Sequence, residues 1–210
     1  SSYSKALPSK EGLFILEVMK KGLQERFIEF NRKYRLATSK QRTLLTVSGG
    51  VDKVVIPHLF KQVGLPFSIA HCNFMLRGTE SSEDEVFVRE LASMHEVPFY
   101  AKRFDTNALA ETSKQSIQMV ARDIRYQWFN QLVADRENGL NRIATAHHLS
   151  DNTETVILNL VRGTGIKGLR GIPVKNGIVI RPLMFATKDE ILQYAADHNL
   201  NFREDSSNTK

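Results

Sequence analysis

The chain is 210 residues long, enough for one full hydrophobic core, with 41% apolar and 25% charged residues. Its single cysteine, Cys72, excludes an intramolecular disulfide and any cysteine-rich zinc or iron–sulfur site built from this chain alone. No run of about 18 apolar residues and no signal-peptide pattern is present, so a cytoplasmic protein with no membrane partner is expected. The formal charge of +6 is too modest to identify a polyanionic partner, yet it is uneven: Lys20 to Arg42 carries eight basic and two acidic residues, whereas Thr79 to Glu96 is mostly acidic.

In chain order, Leu16, Leu23, Phe27 and Phe30 recur at helical spacing with basic residues between them, which predicts one or two amphipathic helices over 13–35. Five short β-rich apolar runs follow, at 43–47, 66–72, 98–104, 142–146 and 178–180, the pattern of strands covered on both faces. Helical patterns alternate with them at about 53–62, 82–95, 114–136, 151–162 and 187–198. Ser82 with Glu85, Asp151 with Glu154, and Thr187 with Glu190 stand at capping-box spacing, where a side-chain oxygen and a carboxylate satisfy free amides at a helix start. Pro57 is at odds with the first of these helices, since an interior proline removes a backbone donor at a cost of roughly 3 kcal/mol. The alternation predicts an α/β fold: a doubly wound, mainly parallel sheet with helices on both faces and ligands at the carboxyl ends of the strands. The partition expected is an N-terminal helical extension over 1–41 and one domain over 42–210.

The segment "LLTVSGGVDKVV" (44–55) puts a glycine turn directly after the first strand and at a helix start, where backbone amides converge on anions. It is neither a dinucleotide fingerprint nor a P-loop, because G-x-G-x-x-G and G-x-x-x-x-G-K-[ST] are both missing. Adjacent Gly49 and Gly50 let amides approach a pyrophosphate, Ser48 adds a hydroxyl donor, and Asp52 suits a magnesium ion bridging phosphates.

Further along, "ATAHHLSDNTETVILNLVRGTGIKGLRGI" (144–172) carries His147, His148, Asp151 and Glu154 from the fourth strand into a helix, beside the glycine turn if strands one and four are neighbours. His148 with Asp151 or Glu154 has metal-like spacing but lacks a third strong ligand for zinc. "RGTGIKGLRG" (162–171) holds four glycines and three basic residues and reads as an anion-binding loop. Arg122 and Arg125, three apart in "VARDIRYQWF", share one helical face suited to phosphate or to solvent. Arg203, Glu204 and Asp205 lie in a polar segment after the last helix.

The glycine turn resembles the PP-loop, S-G-G-x-D-S, of ATP pyrophosphatases, with Lys53 standing where that motif has serine. Together with "NFMLRGTESSEDEVFVREL", "ARDIRY", "HHLSDNTET", "RGTG", "GLRGI", "IRPL" and "REDSSN", it resembles the tRNA(Ile)-lysidine synthetase family from about Arg42 to Asn208. The resemblance implies a carbon–nitrogen ligase using ATP and Mg2+. In that family, ATP adenylates the C2 oxygen of the wobble cytidine in the CAU anticodon of an isoleucine tRNA with release of pyrophosphate. The amine of free L-lysine then attacks C2 and expels AMP. Carried over, Ser48, Gly49, Gly50, Val51, Asp52 and Lys53 bind ATP, Asp52 and Asp151 hold magnesium, and His148, Arg122 and Arg203 orient adenylate, cytidine or lysine. The family usually continues into C-terminal domains that grip tRNA, so this chain is expected to be its catalytic N-terminal part or a shortened form, with a homodimer left open.

Three alternatives remain. A PP-loop tRNA thiolase generally relies on catalytic cysteines, and Cys72 sits alone in an apparent strand. An amidating PP-loop synthetase shares the ATP chemistry, but the basic N-terminal stretch and the second motif speak against it. A nucleotide- or RNA-binding module without catalysis is motivated by Lys53.

Overall fold

The computed structural model describes residues 21–161 and 171–203. Most of the predicted 162–171 loop, Glu204, Asp205 and the helix pattern before Lys21 lie outside them. In chain order the elements are α1 (Leu23–Tyr34), β1 (Arg42–Thr46), α2 (Val51–Gln62), β2 (Phe67–Asn73), α3 (Thr79–His95), β3 (Phe99–Arg103), α4 (Thr106–Ser113), α5 (Ile117–Ala134), β4 (Leu140–Ala144), α6 (Leu149–Val161), β5 (Lys175–Asn176), β6 (Val179–Ile180) and α7 (Lys188–Asp197). The six strands run in the order β3-β2-β1-β4-β6-β5, all neighbours parallel except the β5–β6 hairpin.

The apolar strand runs have the expected cause. Leu44 and Leu45 are adjacent, point to opposite faces and are both fully buried. On one face, Leu45, Val47, Ile69 and Ala144 pack against α1, α2, α3 and α7; on the other, Leu44, Ala70 and Ile143 meet Trp128 and Phe129 of α5. The N-terminal helix is seated in the first of these cores, with Phe27 fully buried 5.6 Å from Phe60. Each such buried side chain contributes roughly 1.5–3 kcal/mol of transfer free energy.

Several local expectations are corrected. Helix α3 begins at Thr79 behind Gly78, so Ser82 lies inside it rather than at its cap. The long pattern over 114–136 is two helices: Lys114 takes a left-handed conformation (φ 55°), and Ser116 caps α5 by accepting from Met119 N. Asp151 is the third residue of α6, and its Oδ2 accepts from the backbone N–H of His148 at 2.8 Å, the return half of a capping box. Thr187 and Glu190 form the complete box expected for α7. Pro57 sits within a continuous α2, buried in the core. Strand β5 is an addition, a two-residue strand turned back by Gly177 (φ 58°), where positive φ favours glycine.

Two features aim the fold. β1 and β4 are neighbours while the chain proceeds from β1 to β2 on the other side, so the strand order reverses at their carboxyl ends, the crevice where doubly wound sheets bind ligands. Helices α2 and α7 run parallel and in register, joined by Asp52–Lys188 at their starts and by His58–Tyr194 two turns on, each pair 136 residues apart in sequence.

Candidate nucleotide and acceptor site

The site starts at the end of β1. The backbone bends through Ser48, with Gly50 N donating to Ser48 O at 2.7 Å, and Gly50 takes the N-cap position of α2 (φ −68°, ψ 160°). Lys53 N donates to Gly50 O at 3.0 Å in the first turn of α2, and the positive end of the helix dipole faces the glycine turn. Gly49 is favoured by close approach: a Cβ there would lie a tight 3.2 Å from Arg203 Cβ and 3.5 Å from Asp84 Oδ1.

Asp52 is buried, with Oδ1 3.2 Å from Lys188 Nζ and Oδ2 3.6 Å from Lys53 Nζ. Burial alone would raise its pKa, but the two ammonium groups outweigh that and hold the carboxyl below its ordinary value. Two cavities open along the carboxyl edge, sharing Thr46, Lys53 and Arg125. The smaller, of about 280 Å³, lies over β1 and β2 and has Val47, Ala70, Cys72 and Phe74 in its wall. The larger, of about 500 Å³, lies toward β4; Arg122, Arg125 and Tyr126 of α5 line it together with Asp52, Asp151 and Glu154.

A profile of the PP-loop domain matches residues 19–210. The chain belongs to the PP-loop family. It is 42% identical over 189 residues to a tRNA(Ile)-lysidine synthase of Chlorobaculum tepidum, covering 88% of this chain and 56% of that protein. To the enzymes of the same name in Parabacteroides distasonis and Porphyromonas gingivalis it is 44% and 46% identical, covering 84% and 79% of this chain but 40% and 36% of theirs. The chain thus spans about half or less of the length of these relatives. Among solved structures, a U34-tRNA thiolase of Methanococcus maripaludis with its [4Fe-4S] cluster superposes with a TM-score of 0.65 at 20% identity over 86% of this chain and 67% of that one. An NH3-dependent NAD synthetase of Campylobacter jejuni gives 0.57 at 18%, over 85% and 72%. These two likenesses show the fold alone. PP-loop membership carries ATP as the nucleotide.

Ser48, Lys53, Asp52, Asp151 and Arg122 stand around this PP-loop cleft, whereas Gly49 and Gly50 line the other side of the turn, Val51 is buried in the core, and His148 and Arg203 are also outside the two cavity walls. His148 is 7% exposed and is not in the cavity wall; the cavity histidine is His147, whose Nδ1 lies 2.8 Å from Thr145 Oγ1. Burial, then the charge of Arg181, lowers the His147 pKa below its ordinary value, with Asp151 opposing, so the ring is neutral at neutral pH. Arg203 lies on the outer side of the PP-loop turn, bound to Glu83 and Asp84. Lys188 and Asp84 were missed, because each reaches the turn only through tertiary packing.

For magnesium, the donor set is two carboxylates in one cavity wall, Asp52 and Asp151, and among the described residues no group of three or more His, Cys, Asp or Glu side chains is arranged to hold a metal. That fits an ion that takes one or two carboxylates and completes its shell with phosphate and water, and does not fit a protein-only metal site. Cys72 is unsuited to thiolate chemistry, since burial pushes its pKa up to about 12.

Proposed function

We propose that this PP-loop domain ligates L-lysine to C2 of the wobble cytidine in a CAU-anticodon isoleucine tRNA through an adenylated intermediate. The observation that carries the reading is the two-lobed cleft at the strand-order reversal, with the PP-loop turn and Lys53 at the junction of its lobes. The likeness to the lysidine synthases supports the choice of substrates.

In this reading the adenine base occupies the smaller, partly apolar lobe, and the phosphates cross the start of α2 past Lys53. The cytidine and lysine share the larger lobe. Its charges divide in a way that suits a zwitterionic amino acid and an anionic RNA: Arg122 and Arg125 on α5 face carboxylate or phosphate, and Glu154 on α6 faces ammonium. The cytidine O2 attacks the α-phosphorus and pyrophosphate leaves. The lysine nitrogen then bonds to C2, the C2–O bond breaks, AMP departs with that oxygen, and the nitrogen gives up a proton. Neutral His147 and the carboxylate of Glu154 line the lobe as proton acceptors. Asp52 and Asp151 would hold Mg2+, which supplies charge neutralisation on the leaving pyrophosphate. What the chain itself contributes is alignment and fixed positive charge, the main demands of phosphoryl and nucleotidyl transfer.

Lys53 decides between this reading and a binding module without catalysis. Its ammonium group is directed to Asp52, and its side chain lines both lobes, so it adds charge to the phosphate path. The test is release of AMP and pyrophosphate from ATP in the presence of lysine and the CAU-anticodon tRNA, compared with Lys53→Ser. Both should release pyrophosphate only when tRNA is present. If the chain binds ATP and Lys53→Ser turns over while the parent does not, the parent is a binding module.

A further inference from the structure

Arg203 sits where the chain returns to the PP-loop turn. Helix α7 is ten residues long and carries the chain about 15 Å away from the site. After it, Asn199 takes a left-handed conformation (φ 52°), Leu200 N bonds back to Ala195 O, and the chain runs up again until Arg203 N donates to Gly49 O at 2.9 Å. The guanidinium then reaches α3: Nε lies 3.2 Å from Asp84 Oδ1 and NH2 2.7 Å from Glu83 Oε2. Asp84 is itself 9% exposed and its other oxygen is 3.0 Å from Arg77 NH2. The middle of the PP-loop turn therefore lies between a returning strap and a carboxylate held by two arginines, where a Cβ on Gly49 would crowd Arg203 Cβ at 3.2 Å.

We propose that Arg203 is a positioning residue: the strap 198–203, locked to Asp84, holds the Ser48–Gly50 turn in its phosphate-binding shape. Resting on the proposal that this turn binds ATP phosphates, the latch explains why an arginine so near the site is kept out of the cavity by two carboxylates. A turn of three residues with one short internal hydrogen bond has many backbone conformations. Fixing Gly49 O from outside leaves the neighbouring amides pre-aligned, and an anion then meets donors that need no reordering. The latch also couples the chain after α7 to the phosphate site through one backbone hydrogen bond.

The experiment compares the parent with Arg203→Ala, Arg203→Lys and Asp84→Asn, each first checked for a cooperative thermal transition. Two quantities are measured: amide hydrogen exchange over 48–52 without ligand, and affinities for ATP and for adenosine. In Arg203→Ala, exchange in the turn should rise and ATP should bind about ten-fold more weakly, the equivalent of one charge-assisted hydrogen bond, while adenosine affinity stays the same. Asp84→Asn should reproduce this pattern, the double variant should be no worse than either single one, and Arg203→Lys should fall between. If Asp84→Asn leaves both exchange and ATP affinity unchanged while Arg203→Ala weakens ATP, Arg203 touches the nucleotide directly and the latch is wrong. A fall in melting temperature with exchange and ATP affinity at parent values also overturns it. Should the parent bind no ATP, the nucleotide reading fails, and the exchange measurements still decide the latch.

Discussion

Two charged regions flank the PP-loop turn and treat their charges in opposite ways. On α3, the mostly acidic run is taken up by ion pairs within the chain: Arg77 binds Glu80 and Asp84, Arg89 and Arg103 bind Glu85, and Arg203 binds Glu83 and Asp84. On α5 and α6, Arg122 and Arg125 rest over Tyr126 and Phe74 rather than on carboxylates, although Asp151 and Glu154 line the same cavity. Charges already paired hold the turn in place, and charges left facing a cavity are available to a ligand. The first set should therefore report on stability and shape, the second on binding and turnover.

The largest expected effect is at Asp52, which straddles the two sets, paired with Lys53 and Lys188 yet lining the larger cavity, and which is assigned to the binding set. Asp52→Asn should lower the rate of pyrophosphate release by about two to three orders of magnitude, the scale of removing one fixed electrostatic group from a reacting centre. The melting temperature should move little, since Lys53 and Lys188 remain 28% and 36% exposed and can rehydrate. Rapid-quench measurement of labelled pyrophosphate checks it, and a large fall in stability with a normal rate would reverse the assignment of Asp52 to the binding set. Next in size, Glu85→Gln tests the first set. It removes a carboxylate that accepts from Asn73, Arg89 and Arg103, and should cost about 1–2 kcal/mol in urea unfolding, discounted because Arg103 is largely exposed. Turnover per folded molecule should not change.

The same residue fixes a pH dependence. Burial would raise the Glu85 pKa, but hydrogen bonds from Arg103 and Asn73 and the Arg103 charge outweigh it, so the folded value lies below the ordinary 4.5. The unfolded chain then binds the proton first on acidification. The stabilisation is complete above the ordinary value and is lost as pH falls through the lower, folded one. Glu85→Gln should flatten that acid limb. A smaller effect is expected for Arg122→Ala, about a ten-fold weakening of lysine or RNA binding, with urea stability unchanged.

The sequence-level reading succeeded where the cause was local. Buried strands announce themselves as apolar runs, and Thr187 with Glu190 announces a helix start. It failed where the deciding neighbour lies far along the chain: Asp52 is 136 residues from Lys188, and Gly49 is shaped by Arg203 and Asp84. One error was avoidable. Along the β4 direction, Ile143, Thr145 and His147 share one face, and Ala144, Ala146 and His148 the other. The first face is the α5 side, where Ile143 packs on Trp128 and Phe129, so alternation alone selects His147 over His148 for the cavity beneath Arg122 and Arg125.

That selection yields the smallest expected effect. His147 is disfavoured as a cation by burial and by Arg181, with Arg122 adding to the same side and only Asp151 opposing. Its folded pKa therefore lies below the ordinary 6.5, and the ring keeps its neutral form to lower pH than an unperturbed histidine. On acidification the unfolded chain takes the proton first, so this residue's share of stability is present above the ordinary value and is lost below it. Any acid limb of turnover that His147 sets should accordingly lie below the ordinary histidine value. His147→Gln, which keeps a neutral hydrogen-bonding side chain, should slow lysine transfer by less than about ten-fold, against about 100-fold or more for loss of a sole general base, because Glu154 lines the same cavity. A single-turnover assay starting from the adenylated tRNA isolates this step. A 100-fold loss together with disappearance of the acid limb of the rate profile would make His147 the base and reduce Glu154 to binding the lysine ammonium.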